Sequence, residues 1–447
     1  MGPLQPGLPS STMFPRQWKF AILDVKDCFF NIPLHPHDAP RFAFSVPSLN
    51  RQAPLRRSII LHYMDDVLIC APDDTYLNLT LEKTIQAIEK AGFEIQQEKI
   101  LRTCPWTYLG LHIGERTVVP QQLTIRDDPR TLRDLHQLCG SINWVCPLLG
   151  VKTEDLAPLF NLLKGCEDLD LPRVITEEAR ESIEKVQLAL SSHQAHRTSS
   201  KLPFSFIILG KLPKLHGLIF PWDTDQKDPL LIIGWIFLSH QPFKTITTPQ
   251  ELMAQLIMRA RARLHTLTGC YFTCIYLPLK TGVLEYLLQT NEHLQFALDS
   301  YPGKVSIHNP KHKLCDWAFH LAPKELQSQT PLKALTVFTD GSGGSHKSVM
   351  TWNDPRTQMW ESDVQMVEGS PQIAELAAMV RVFERFEEPI NLVTDSAYVV
   401  GVITRAEHAL LKEVPNPKLY SLLSKIVFLL SHGKHPFHVM RGHTPIS

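Results

Sequence analysis

The sequence has no excess of charge of either sign. Its 447 residues include 45 Lys and Arg and 45 Asp and Glu, so the formal net charge is zero with histidine neutral. Bulk charge therefore does not indicate a nucleic-acid partner. Such a partner would need locally basic faces around an acidic site.

Membrane and zinc signals are also missing. There is no run of about 18 apolar residues and no apolar signal-peptide segment at the N-terminus, so we expect a cytoplasmic protein with no membrane partner. The nine cysteines form no Cys-x-x-Cys pair, which argues against a zinc site. Their odd, scattered set is typical of free thiols in a reducing compartment.

What is present is the composition of a globular protein with a packed core. Hydrophobic residues make up 44% of the chain and charged residues 20%, and the length suggests about three domains. Residues 192–204 are expected to form a polar linker. The patterns predict helices at 76–92, 129–149, 176–191 and 249–266, and strands at 18–24, 93–95, 107–113, 204–209, 215–220, 230–239 and from 334.

The stretch from Ser58 to Ala71 is predicted to form a hairpin. Two short apolar runs flank Tyr63-Met64-Asp65-Asp66, which indicates two buried strands. Adjacent acids at the tip are unfavourable there unless a positive group meets them, so a divalent-metal site competes with a plain turn. Asp24 ends another buried strand. Three carboxylates from separate strands are what two Mg²⁺ ions need to hold a triphosphate and a 3′ hydroxyl.

Leu23-Asp24-Val-Lys-Asp-Cys-Phe-Phe30 and Tyr63-Met-Asp-Asp66 resemble, in this order, two palm motifs of reverse transcriptases. The resemblance implies that Asp24, Asp65 and Asp66 are catalytic metal ligands. It further implies that Tyr63 and Met64 lie at the nucleic acid, that Phe29 excludes the ribose 2′ hydroxyl, and that Lys99 contacts the leaving pyrophosphate. Without it, Phe29 would be a core residue and Lys99 a solvated lysine.

Two further stretches resemble parts of the same enzymes. Tyr108-Leu-Gly110 is similar to the primer-grip hairpin, and Leu138–Trp144 to the thumb helix that follows the minor groove of template and primer. The resemblance implies that Gly140 admits the nucleic-acid backbone and that Trp144 contacts its sugars. Taken alone, Trp144 would be a core aromatic residue.

A second acidic constellation lies near the C-terminus. Asp340 and Asp395 each end a predicted strand, and Glu375 lies on an Ala-rich helix. A glutamate packed over two strand-end aspartates builds a two-metal site for water attacking a phosphodiester. These stretches resemble retroviral ribonuclease H, and the resemblance implies that all three residues are catalytic metal ligands. Gln372 and Tyr398 then contact the hybrid, and His443 either assists product release or is a surface histidine.

Together the matches resemble the Pol protein of endogenous beta- or alpharetrovirus-like elements, which would be virion-associated in an intact element. They imply an α+β and α/β multidomain fold: a partial palm at 1–118, a helical thumb at 119–200, a mixed α/β connection at 201–330 and a ribonuclease H-like domain at 331–447. The implied function is RNA-directed DNA polymerase with hybrid cleavage. The implied cofactor is Mg²⁺, with Mn²⁺ as the alternative, and the partners are RNA template, DNA primer, RNA–DNA hybrid and deoxynucleoside triphosphates.

Three departures from the family pattern concern activity. The chain begins just before the first palm strand, without the fingers, and ends at Ser447 before the fourth ribonuclease H carboxylate. Only 41 positions separate Asp24 from Asp65, and the family's pocket helix is missing between Phe44 and Ser58. We therefore expect polymerase activity to be absent or very low and hybrid cleavage to survive in impaired form. The alternatives are a non-catalytic nucleic-acid-binding relic and a product that does not fold stably.

Overall fold

The structure is a computed structural model. It describes residues 17–26, 58–63, 65–120, 129–151, 153–163, 168–192, 195–197, 202–238, 242, 244–268, 270–323, 325–342 and 344–442. Phe29, Met64 and His443 lie outside the described residues, and only the backbone is described at Tyr63 and Trp144.

The N-terminal sheet carries the predicted hairpin. Its strands are β1 (Lys19–Lys26), β2 (Ile59–Tyr63), β3 (Asp66–Ala71) and β4 (Glu94–Ile95), in the order β2-β3-β1-β4. Helix α1 (Asp74–Lys90) buries Leu77, Leu81 and Ile88 against this sheet. Asp73 caps its first turn by accepting a hydrogen bond from the Tyr76 nitrogen. The hairpin and the helix were both predicted correctly.

A second, smaller sheet follows, made of β5 (Trp106–Tyr108), β6 (Leu111–Ile113), β7 (Thr117–Pro120) and β8 (Ala195–His196). The prediction of strand over the whole of 107–113 is wrong at its centre, because Leu109 and Gly110 turn the chain with φ of 49° and 71°. Two central residues with positive φ are the geometry of a tight hairpin.

Three helices form a separate core between β7 and β8. They are α2 (Leu132–Leu149), α3 (Thr153–Asn161) and α4 (Glu177–Ser192). Leu135 and Ile142 of α2 meet Leu159 of α3 and Ile183 of α4 in this core. The short helix α3 was not predicted from the sequence, and it contains Pro158, which disfavours a helix interior.

Two five-stranded units make up the rest of the chain. The first contains β9 (Phe204–Lys211), β10 (Lys214–Pro221), β11 (Gly234–Phe237), β12 (Ile246–Thr247), α5 (Pro249–Thr268), β13 (Cys274–Tyr276), α6 (Thr281–Thr290), α7 (Glu292–Leu298), β14 (Lys304–Ser306) and α8 (Lys313–Ala318). The second contains β15 (Leu335–Ser342), β16 (Lys347–Asn353), β17 (Trp360–Met366), α9 (Pro371–Arg385), β18 (Ile390–Thr394), α10 (Ala397–Ala406), β19 (Leu410–Leu411), α11 (Pro417–His432) and β20 (Phe437–Arg441).

The two units share one topology. Their sheets have the orders β11-β10-β9-β13-β14 and β17-β16-β15-β18-β20. In each, the first three strands of the unit pair antiparallel, and the two later strands add in parallel on the other side. In each, a helix that begins with Pro-Gln packs on the sheet. The strands β12 and β19 pair with each other and so join the units.

Two further findings bear on the sequence-based expectations. No helix among the described residues is long and apolar enough to span a lipid bilayer. The cysteines at positions 104, 139, 274 and 315 are free thiols.

Candidate active sites

The first candidate site is formed where β1 and β3 pair. Asp24 lies opposite Asp66 in this antiparallel register, and the Val25 nitrogen donates to the Asp65 carbonyl oxygen at 2.8 Å. Strand pairing therefore brings Asp24 together with Asp65 and Asp66, which follow it by 41 and 42 positions in the sequence. Tyr63 is paired with Asp66 across β2 and β3.

The charges at this site act on one another. Burial, and then repulsion by Asp65 and Asp24, raises the pKa of Asp66 to about 6, against the opposing effect of Lys99. The ammonium group of Lys99 lies 3.2 Å from Oδ2 of Asp24. A 3-10 turn at Gln97–Lys99 and the bridge between Leu101 and Ile22 hold this lysine alongside β1. The positive group that the hairpin acids need is thus supplied by the chain itself.

A buried tyrosine belongs to the same neighbourhood. Tyr108 is 2% exposed, and burial together with the charge of Asp66 raises its pKa above the ordinary value. Among the described residues its hydroxyl has no hydrogen-bond partner. The resemblance to the primer grip covers the stretch around Tyr108 but gives this side chain no role of its own.

Gly140 lies on the exposed side of α2. A methyl group built at this position would meet nothing within 4 Å, so the helix offers an open surface there. This is compatible with the close approach of another backbone. Because only the backbone of Trp144 is described, its contact with sugars stays a prediction.

The second candidate site lies at the end of β15. Burial raises the pKa of Glu375, a hydrogen bond with Ser396 opposes this effect, and the charges of Asp395 and Asp340 raise the pKa further. The three predicted acids are therefore electrostatic neighbours. The pKa of Tyr398 is raised by burial and by Glu375, which places this ring beside the glutamate. Gln372 is exposed in the first turn of α9.

The backbone around these acids is closely fitted. A Cβ atom on Gly341 would lie 2.5 Å from the backbone nitrogen of Glu375 and 2.7 Å from its Cγ, so only glycine fits between β15 and α9. The Arg441 Nε atom donates to the carbonyl oxygen of Asp395 at 3.0 Å. Gly341 and Ser396 lie inside the motifs that identified the acids, but neither was singled out from the sequence.

The carboxylates provide the hard oxygen donors that Mg²⁺ prefers, and their mutual repulsion would be relieved by a cation. Nevertheless, within the described parts of the chain no group of three or more His, Cys, Asp or Glu residues is arranged to hold a metal ion. The carboxylate oxygens are suitable ligands for a divalent cation. In the structure, however, these side chains lie near enough to affect one another's charge without converging on one point as metal ligands do.

The first five-stranded unit, at β9 to α8, carries no acids at the positions that correspond to Asp340, Glu375 and Asp395. Counted from the hairpin that ends each first strand, Leu209 occupies the position of Asp340. Counted from the Pro-Gln start of the helix, Met253 occupies the position of Glu375. The parallel registers place Pro278 where the C-terminal unit has Asp395. A cavity of about 280 Å³ between α5 and α7 is lined by none of the predicted site residues.

Three segments of the chain match known families. Residues 120–184 match "Reverse transcriptase thumb domain", residues 222–315 match "ERVK-8-like, RNaseH-like domain", and residues 332–444 match "RNase H".

Curated relatives cover nearly the whole chain. It is 33% identical over 484 residues to the Gag-Pro-Pol polyprotein of Mouse mammary tumor virus (strain BR6), with 99% of this chain and 27% of the relative covered. The corresponding polyprotein of Mason-Pfizer monkey virus is 32% identical, with 99% and 26% covered, and that of Squirrel monkey retrovirus 30%, with 99% and 25% covered. The chain thus spans about a quarter of these relatives' length.

The alignment to the mouse virus is longer than the chain itself, so the relative contains residues within the matched stretch that this chain lacks. This agrees with an internal deletion. Its predicted position, between Phe44 and Ser58, lies outside the described residues and stays a prediction.

Proposed function

The chain carries a reverse transcriptase thumb domain and an RNase H domain of the retroviral Pol type, and from this premise we propose that it acts on RNA–DNA hybrids. The observation that carries the proposal is the meeting of Asp340, Glu375 and Asp395 where a strand end, a helix and a second strand end come together. The proposed reaction is hydrolysis of the RNA strand, with domains as bounded by the sequence at 1–118, 119–200, 201–330 and 331–447.

Mg²⁺ is the proposed cation, with Mn²⁺ as a substitute, and Asp340, Glu375 and Asp395 are the residues that would hold it. When bound, such an ion would orient the attacking water and stabilise charge that develops on the phosphate. Two residues of the chain position these acids. Ser396 forms a hydrogen bond with Glu375, and Arg441 donates a hydrogen bond to the backbone carbonyl of Asp395. Gln372 and Tyr398 are proposed to contact the strands of the hybrid, and His443 to assist product release.

The test is cleavage of a labelled RNA–DNA hybrid in Mg²⁺ by the parent chain and by Asp340→Asn. We expect the parent to cleave and the variant to lose at least about 100-fold in rate, because one of three charged ligands is neutralised. Asp354, a partly buried acid outside the candidate site, is a matched control: converted to Asn, which keeps its acceptor oxygen for the Arg356 nitrogen, it should cleave like the parent. Equal cleavage by Asp340→Asn and the parent would contradict the site assignment.

For the palm site we propose descent from an RNA-directed DNA polymerase that used deoxynucleoside triphosphates on a primed RNA template, with activity now absent or very low. Asp24, Asp65 and Asp66 are the proposed ligands, and Tyr63, Met64, Phe29, Gly140 and Trp144 the proposed substrate contacts. The proposed loss of polymerase activity is supported by the short spacing between Asp24 and Asp65 in the sequence. Lys99, the residue proposed to contact the leaving pyrophosphate, forms an ion pair with Asp24 and is half exposed. Robust primer extension with Mg²⁺ would contradict this part of the proposal.

A second candidate function is non-catalytic binding of nucleic acid. It is favoured by the finding that the acids, within the described residues, do not form a ligand set. Hybrid binding that weakens steeply with salt but shows no turnover would select this candidate. In either case we propose that the protein acts in the cytoplasm or, from an intact element, in a virion.

A further inference from the structure

We infer that Ser348, Arg381 and Asp363 form a positioning network that holds Glu375 in the C-terminal site, an inference that rests on the proposed hybrid cleavage. Ser348 lies on β16 and is fully buried, with 0% exposure. Its hydroxyl donates to the carbonyl oxygen of Ala374 at 2.6 Å. Ala374 directly precedes Glu375, so this bond fixes the first turn of α9 against the sheet.

Arg381 directs the serine hydroxyl. Its Nη2 atom donates to the Ser348 carbonyl oxygen at 2.7 Å and to Oγ at 3.0 Å. Because Oγ accepts from the arginine, its single proton is left for the Ala374 carbonyl. The Nη1 atom of the same guanidinium pairs with Asp363 on β17. The Arg381 side chain therefore connects α9, two turns after Ala374, to the adjacent strands β16 and β17.

The strand register links this network to the acids. Ser348 is paired with Gly341 across β15 and β16, and Val349 is paired with Asp340. Gly341 is the residue against which the Glu375 backbone packs. A single buried serine thus contacts both the strand that carries Asp340 and the helix that carries Glu375. Catalytic groups need placement within about 0.5 Å, which requires such support from packed neighbours.

The experiment compares Ser348→Ala, Arg381→Met and Arg381→Lys in the full chain, with Ser362→Ala as the control. Ser362 is an exposed serine of β17 next to Asp363. We expect Ser348→Ala to lower kcat for hybrid cleavage about tenfold, as outer-shell substitutions commonly do, while KM for the hybrid stays within about twofold. Mn²⁺ affinity, titrated without nucleic acid, should fall by a similar factor. Arg381→Lys should retain more activity than Arg381→Met.

Assays are run well below the unfolding midpoint of each variant. A Ser348→Ala variant with parental kcat and Mn²⁺ affinity would overturn the inference. The inference would also be overturned if the substitution changed only KM, or if the unfolded fraction of the variant fully explained its lower activity. Either result would indicate a merely structural role for Ser348.

Amide hydrogen exchange separates this inference from the proposed function. If the parent chain cleaves no hybrid, the proposed function fails, but residues 373–376 should still exchange faster in Ser348→Ala than in Ser362→Ala, with the last turn of α9 unchanged. Equal exchange in the two variants would overturn the positioning network whatever the activity.

Discussion

At the scale of single residues, Gly341 shows how closely the C-terminal site is packed. We expect Gly341→Ala to lower the free energy of unfolding by about 1–3 kcal/mol, the usual effect of overpacking. The added Cβ atom would force Glu375 away from Asp340, so hybrid cleavage should fall by at least about tenfold. Thermal unfolding and cleavage rate are the measurements.

Gly344→Ala is the matched control for that substitution. Gly344 lies in the same hairpin region, and a methyl group built there meets nothing within 4 Å. Its stability and cleavage should match the parent. Parental behaviour of Gly341→Ala would show that α9 can move away from β15 without consequence.

A second residue-scale prediction concerns Glu407. Its carboxylate accepts hydrogen bonds from the Leu326 nitrogen at 3.0 Å. Burial raises its pKa to about 7, the backbone bonds oppose this effect, and nearby Glu325 adds to the rise. In the unfolded chain the group ionises near pH 4.5. The native state therefore binds the extra proton between about pH 4.5 and 7, and the stability that this group contributes is lost as pH rises through that window.

We expect the Tm of Glu407→Gln to exceed that of the parent only slightly at pH 5, where the native glutamic acid is neutral and the unfolded chain has begun to ionise. At pH 8 the variant should unfold a few degrees higher, because it avoids an ionised carboxylate in a desolvated position. The measurement is the difference in Tm at the two pH values. The titration of the adjacent His408 is common to both proteins. A Tm difference that is equal at pH 5 and pH 8 would contradict the assigned pKa.

At the scale of elements, Arg197 joins two sheets. It is 1% exposed and donates to the carbonyl oxygens of Gly114, Glu115 and Trp18. Its guanidinium lies 4.4 Å from the ring centroid of Phe20. We expect Arg197→Met to destabilise the N-terminal unit by about 3 kcal/mol, because three carbonyl groups lose a buried, charged donor.

Hydrogen exchange over residues 106–120 is the measurement, with Arg116→Met as the control, because that side chain is exposed. Exchange should accelerate in Arg197→Met and stay parental in Arg116→Met. Unchanged exchange in the first variant would show that solvent replaces the guanidinium without loss.

Several helices and strands could be predicted from the sequence alone. Local patterns were sufficient for the hairpin at β2 and β3, for α1 and for the strands that carry Asp24 and Asp340, although both strands continue two residues beyond the predicted end at the acid. They failed for Arg197, because a charged residue within a polar stretch carries no local sign that distant carbonyl groups surround it. The network around Ser348 was missed for the same reason, since its partners on β17 and α9 are set by tertiary pairing alone.

At the scale of the whole molecule, the two five-stranded units explain where chemistry is concentrated. Both have the same strand order, but the acids at 340, 375 and 395 correspond to apolar positions at 209, 253 and 278 in the first unit. A buried Leu209 and Met253 strengthen a core where carboxylates would weaken it. The proposed hybrid cleavage is therefore assigned to the second unit, where acids occupy these three positions.

The junction of these units centres on Glu251, which is 5% exposed. Its carboxylate lies 2.8 Å from Lys244, 3.2 Å from His293 and 3.3 Å from Arg405 of the second unit. Burial raises its pKa, but the hydrogen bonds from Lys244 and Thr248 and the charge of Arg405 outweigh this effect, so the pKa lies below its usual value. The Glu251 carboxylate therefore pairs with basic groups of both five-stranded units, next to the paired strands β12 and β19.

A double-mutant cycle of Glu251→Gln and Arg405→Met measures this link. We expect a coupling energy of about 1 kcal/mol, a modest value because Arg405 is 42% exposed and screened by solvent. The second unit should also become more sensitive to proteolysis in Glu251→Gln, while Glu285→Gln, at an exposed position on α6, should behave like the parent. Strictly additive effects of the two substitutions would mean that the units are held together by β12 and β19 and apolar packing, with no contribution from this ion pair.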